Sequence, residues 1–91
     1  MKQSESLSLE DIKKLPPQEA ITCLDKFIKI FPDKEEAYLI RGMKHWNLNH
    51  RREAINDYLK AINLNPDSKA KALLQYANSI LDYYNKDLLN P

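Results

Sequence analysis

The stretch Glu53-Ala-Ile55 through Asn63-Leu-Asn-Pro66-Asp67 decides how this chain folds, because an earlier stretch repeats its skeleton. Glu19-Ala-Ile21 leads to Ile28 and then Pro32-Asp33, so Glu, Ala, Ile, Ile, Pro and Asp recur in the same order, each 34 residues later. A fixed period of this size marks arrays in which one unit buries its apolar face only by stacking on a neighbour.

Outward from that stretch the apolar residues keep helical spacing. Arg51 to about Asn63 carries Ala54, Ile55, Tyr58, Leu59, Ala61 and Ile62, and about Pro17 to Phe31 carries Ala20, Ile21, Leu24, Phe27, Ile28 and Phe31. Pro32 and Pro66 stop the two helices. Between them, about residues 34–48 hold Ala37, Tyr38, Leu39, Ile40, Gly42, Met43 and Trp46, too many apolar residues for one stripe, so this helix packs on two sides. Asp33 with Glu36 reads as its capping pattern. At the N-terminal end, Ser8 offers a cap to a short helix with Leu9, Ile12 and Leu15 on one stripe, ended by Pro16-Pro17. A last helix runs from about Ser68 to Asn85, with Leu73, Tyr76, Ala77, Ile80 and Tyr84 on its apolar side and Lys71, Gln75, Ser79, Asp82 and Lys86 on its polar side. Residues 1–7 read as disordered, and residues 86–91 as a C-terminal tail that still carries Leu88 and Leu89.

Composition narrows the class. Ninety-one residues make one domain, and fourteen Lys plus Arg against thirteen Asp plus Glu leave a formal charge of +1, so no overall field draws the chain to nucleic acid or an anionic membrane. A single glycine argues against a turn-rich β fold. The lone Cys23 has no partner for a disulfide, and the first eight residues lack the apolar centre of a signal peptide. No run approaches the roughly 20 apolar residues that span a bilayer. These features predict a cytoplasmic protein.

Helix pairs at this period, with Gly in the first helix, Ala in the second and Pro at the end, resemble the tetratricopeptide repeat. Its pattern of W-x2-LG-x2-Y, then A-x3-F, then P falls on Tyr38, Arg41-Gly42, His45, Ala54, Tyr58 and Pro66. Gly42 and Ala54 let two antiparallel helices approach closely. Arg41, where the family has Leu, is expected to lay its aliphatic stem over the core. The resemblance implies an all-α fold of about five helices: antiparallel pairs stacked as a short right-handed superhelix over residues 8–85. It divides into a truncated repeat at 8–32, a full repeat at 33–66 and a capping helix at 67–85. Matching Ala77 to Gly42 gives a spacing of 35 and puts one extra residue in the loop before the last helix.

Little in the sequence points to catalysis. His45 and His50 stand five apart, not the four that aims two imidazoles from one helix at a metal, and no HExxH pattern or phosphate loop accompanies them. His45 reads as a core residue and His50 as a solvated one. No catalytic residue, metal site or cofactor is expected. Lys44, His45, His50, Arg51 and Arg52 cluster at one turn, but no aromatic platform for bases is interleaved, and the reading is a solvated loop balanced by Glu53 and Asp57.

The remaining candidate is a groove. In tetratricopeptide proteins the first helices line a concave face that holds a peptide or a helix. Counting from Gly42 places Leu39, Met43, Trp46 and Asn47 there, and counting from Ala77 adds Leu74, Asn78 and Leu81. The lysine positions of family members that clamp a terminal carboxylate hold Leu39 and Leu74, so no such clamp is expected. The implied function is a non-catalytic protein–protein interaction module. Three occupants of the groove remain open: a partner peptide, the chain's own Leu88-Leu89 tail, or a second copy in a homodimer.

Overall fold

The computed structural model describes the backbone of residues 8–89 and the side chains of residues 8–80. The expected disorder of residues 1–7 and the side chains of Leu81, Leu88 and Leu89 lie outside the described part. Five helices follow one another among the described residues: α1 (Leu9–Lys13), α2 (Pro17–Ile30), α3 (Glu35–Asn47), α4 (Arg51–Leu64) and α5 (Ala70–Leu89). No strand forms among them, as the helical spacing requires.

The helix boundaries follow from local chemistry. Ser8 caps α1 reciprocally: its Oγ accepts from the Asp11 N–H at 3.2 Å, while its own N–H donates to Asp11 Oδ2 at 3.4 Å. Pro17 opens α2 at the one position where a missing N–H is harmless. For α3 the expected Asp33 cap does not form. The residue preceding the helix is Lys34, and no side chain caps it. Pro32 and Asp33 instead form a turn. That turn is tied to the repeat by Tyr38, whose hydroxyl donates to the Pro32 carbonyl at 2.9 Å. At the far end, α5 runs through Leu89, four residues past the Asn85 boundary read from sequence.

The 34-residue period is visible in the backbone hydrogen bonds themselves. Phe31 N–H donates to Phe27 at 2.8 Å and Asn65 N–H to Ala61 at 2.9 Å; Ala20 donates to Pro16 at 2.9 Å and Ala54 to His50 at 3.0 Å. The loop between α4 and α5 keeps the same register: Lys34 to Phe31 and Ala37 to Lys34 recur as Ser68 to Asn65 and Lys71 to Ser68. The extra residue read into that loop is therefore absent as far as Lys71. Further along, Ala77 is buried as Gly42 is, whereas Tyr76, 34 residues after Gly42, is 60% exposed.

The hairpin of α3 and α4 is the most extensive packing, flanked by α2 on one side and α5 on the other. Two apolar clusters result. Ile12, Ala20, Leu24, Ala37 and Ile40 are buried between α1, α2 and α3, and Tyr38, Leu39, Ala54, Tyr58, Ala61 and Ala70 between α3, α4 and α5. Helix α3 feeds both, which explains its nearly continuous apolar surface. Leu24 and Ile40 are the largest fully buried side chains, each contributing roughly 1.5–3 kcal/mol by removal from water.

Gly42 sets how closely α3 and α4 meet. A Cβ there would lie 2.7 Å from Cε1 and 2.8 Å from Cδ1 of Tyr58, and 3.2 Å from the Ala54 carbonyl oxygen. The ring of Tyr58, buried at 3% exposure, occupies the space that a side chain would need. The residue before Gly42, Arg41, is held by its head group. Its Nε and Nη2 donate to the two oxygens of Asp57, both at 2.9 Å, and its Nη1 donates to Asp25 at 2.8 Å. The guanidinium bolts α3 to α4 and to α2. The bond to Asp57 is the chief cause holding its pKa above the ordinary value.

Candidate partner-binding groove

The sides of α3 and α5 that face each other enclose a concavity. A cavity of about 640 Å³ runs between Leu39, Ile40 and Met43 of α3 and Lys69, Ala72 and Leu73 at the start of the last helix, with Lys13, Glu35, Glu36 and Asp67 at its polar edge. A second space of about 210 Å³ adjoins it. Met43 and Leu73 form walls of both, and Trp46, Asn47, Tyr58 and Tyr76 complete the smaller one. Together they make one groove with an apolar floor.

Each expected site residue has a definite place. Leu39 is buried in the core and shows one side to the larger cavity. Met43 and Trp46 are half-buried and Asn47 is exposed, all three lining the smaller cavity. Leu74 packs half-buried against the α3–α5 cluster, and Asn78 is exposed and lines neither space. Leu81 lies outside the described side chains. On α5 the groove is lined by Ala72, Leu73 and Tyr76. Of these, Leu73 answers Leu39 at a spacing of 34, where the count of 35 selected Leu74 instead; Ala72 and Tyr76 answer Tyr38 and Gly42, which are not expected groove positions.

Aromatic contacts join the two walls at the other end of the groove. Trp46 and Tyr76 meet edge to face with ring centroids 6.5 Å apart, and the Arg51 guanidinium carbon sits 4.2 Å from the Trp46 centroid. Tyr76 keeps 60% exposure. At the polar end, Ser68, buried, donates its hydroxyl to Glu35 and accepts the N–H of Ala70 at 3.0 Å. That pair fixes the start of α5 against the start of α3.

The basic cluster at the α3–α4 turn is dispersed by the fold. Lys44 reaches back to α1, where its ammonium donates to the carbonyls of Lys13 at 2.6 Å and Leu15 at 3.0 Å, satisfying the end of a helix that has no further turn to do so. Arg51 is spent on Trp46 and on Asn49. Asp57, expected to balance this loop, is 5% exposed and bound to Arg41 instead. His45 is half-buried, and burial is the first cause lowering its pKa below the ordinary imidazole value. Burial likewise raises the pKa of Tyr58.

Among the described residues no group of three or more His, Cys, Asp and Glu converges as a metal site, and no helix is long and apolar enough to cross a membrane. No solved structure matches the chain. Residues 35–68, which span α3, α4 and the loop after them, match the family model described as tetratricopeptide repeat. The α3–α4 hairpin, with Gly42 against Tyr58 and Pro66 beyond its end, is thus a tetratricopeptide repeat, and the chain is a small, all-helical protein built around it.

Proposed function

We propose that this protein is a non-catalytic interaction module whose α3–α5 groove takes a short segment of a protein partner through two or three apolar side chains. The observation that carries the reading is the continuity of the two cavities through Met43 and Leu73, ending at Trp46 and at a Tyr76 that is 60% exposed. An uncovered apolar surface of this kind marks interaction sites, and Met, Trp and Tyr are favoured at them. The combined space admits a few Leu-sized side chains. Tetratricopeptide repeats as a family bind proteins, which agrees with this use.

Peptides selected from a displayed library against the full chain test it. Bound peptides are expected to share apolar residues at fixed spacing and to quench or shift Trp46 fluorescence. Tyr76→Ala and Met43→Glu are expected to weaken them at least tenfold while circular dichroism stays unchanged. Leu39→Glu is unsuitable, because Leu39 is core and a buried charge there would unfold the hairpin. Selection of no peptide, together with a concentration-dependent dimer in ultracentrifugation that Tyr76→Ala abolishes, would replace the partner by a second copy of the chain. Peptides that bind Tyr76→Ala and Met43→Glu as tightly as the parent would remove the groove from consideration.

A further inference from the structure

The turn between α3 and α4 builds a second constellation that the groove does not use. Asn49 takes a left-handed backbone, φ 65°, and the chain closes on itself through the His50 N–H to the His45 carbonyl at 2.8 Å and the Asn49 N–H to the Trp46 carbonyl at 3.0 Å. These two bonds are the paired closure of a helix end by a residue in the left-handed region. The reversal folds His50 back over the last turn of α3. The two imidazoles, unpromising at a spacing of five within one helix, end with their Nδ1 atoms 3.1 Å apart and their ring centroids at 5.3 Å.

We infer that His45 and His50 form a binding site for a divalent transition-metal ion of the Zn²⁺ type, held through both Nδ1 atoms. Two ring nitrogens this close share either one hydrogen, an N–H of one ring donating to the other, or one cation bound by both. Zinc–imidazole bonds of about 2.0–2.1 Å place two neighbouring nitrogens roughly 2.9–3.4 Å apart at ordinary coordination angles. The observed separation falls in that range, and rotation of the exposed His50 ring turns both lone pairs toward a common ion.

The surroundings tolerate the added charge. Arg41 is neutralised by Asp57 and Asp25, Lys44 is engaged with the α1 carbonyls, and Arg51 lies over Trp46. No third protein ligand converges among the described residues, so water fills the remaining positions. Two ligands supply about half the free energy of a four-ligand site, which gives a dissociation constant on the order of 10 µM. The bound ion bridges the last turn of α3 to the residue preceding α4, and so clamps the hairpin beside Trp46.

Calorimetric titration of the full chain with Zn²⁺ alone, followed by ¹⁵N spectra of the imidazoles, tests the site. One ion per chain is expected, with both Nδ1 resonances shifted and the protons retained on Nε2. His50→Ala, at an exposed position, is expected to leave the helix content intact and weaken binding at least tenfold, and His45→Gln to do the same. Cys23→Ser is expected to change nothing. The site is overturned by any of three results: no binding at about 1 mM Zn²⁺, a hundredfold above the expected constant; binding that survives His50→Ala; or binding that Cys23→Ser removes. The first result would leave the pair as a shared-proton hydrogen bond.

Discussion

Replacing Arg41 by Leu restores the residue that the repeat pattern prefers, yet in this protein it should destabilise the fold. Asp57 has 8% side-chain exposure, and both its oxygens accept from Arg41. Without the guanidinium a buried carboxylate loses its partner. Breaking a fully buried pair costs about 3–5 kcal/mol. Arg41 retains 22% side-chain exposure, so water relieves part of that, and about 2–3 kcal/mol is expected. For a domain of this size each kcal/mol lowers Tm by about 4–8 °C, which makes the loss roughly 10–20 °C. Asp25 shows the contrast: its side chain is 55% exposed, and Asp25→Ala should cost below about 1 kcal/mol. The double variant Arg41→Leu, Asp57→Leu removes both charges and should return to within about 1 kcal/mol of the parent, because apolar packing replaces buried pairs at little loss. Urea unfolding followed by far-ultraviolet circular dichroism reads these proteins beside the parent and Asp57→Ala, which leaves Arg41 without its main partner and should cost more than Asp25→Ala. Arg41→Leu within about 0.5 kcal/mol of the parent, the range of ordinary surface changes, would refute the reasoning, as would equal losses for Asp25→Ala and Asp57→Ala.

Two further substitutions probe the packing. Gly42→Ala gains about 1 kcal/mol in helix propensity but drives a methyl against the buried Tyr58 ring and the Ala54 carbonyl; a net loss of about 1–2 kcal/mol is expected from overpacking, and Tyr58→Leu in the same chain should relieve most of it. Lys44→Met removes the donor to the Lys13 and Leu15 carbonyls, with an expected loss of about 0.5–1.5 kcal/mol, and hydrogen exchange should accelerate across residues 9–15 while α3 and α4 stay protected.

The sequence made the helices and their order legible because apolar spacing and proline punctuation act over a few residues. Ser8, Pro17, Pro32 and Pro66 each mark a boundary through chemistry confined to one turn of chain. The groove was partly legible for the same reason. Met43 and Trp46 follow from the register of α3, whose repeat is complete. On α5 the small-residue match at Ala77 suggested a shift of one, and only the hydrogen bonds of the loop show that the period remains 34 as far as Lys71. That single residue exchanges Leu74 for Leu73 on the groove wall.

What the sequence determined by itself is the class of fold and the identity of the repeat, since Gly42, Ala54 and Tyr58 need each other at fixed spacing to close one hairpin. What only the tertiary structure decided are the partners of the polar side chains. Arg41 finds Asp57 16 residues away on the next helix, Lys44 reaches carbonyls 29 and 31 residues behind it, and His50 meets His45 because Asn49 reverses the chain. Such contacts depend on the direction of a long side chain or on one left-handed backbone angle. Periodicity carries no record of either, whereas the apolar stripe that drives helix pairing is written into every turn.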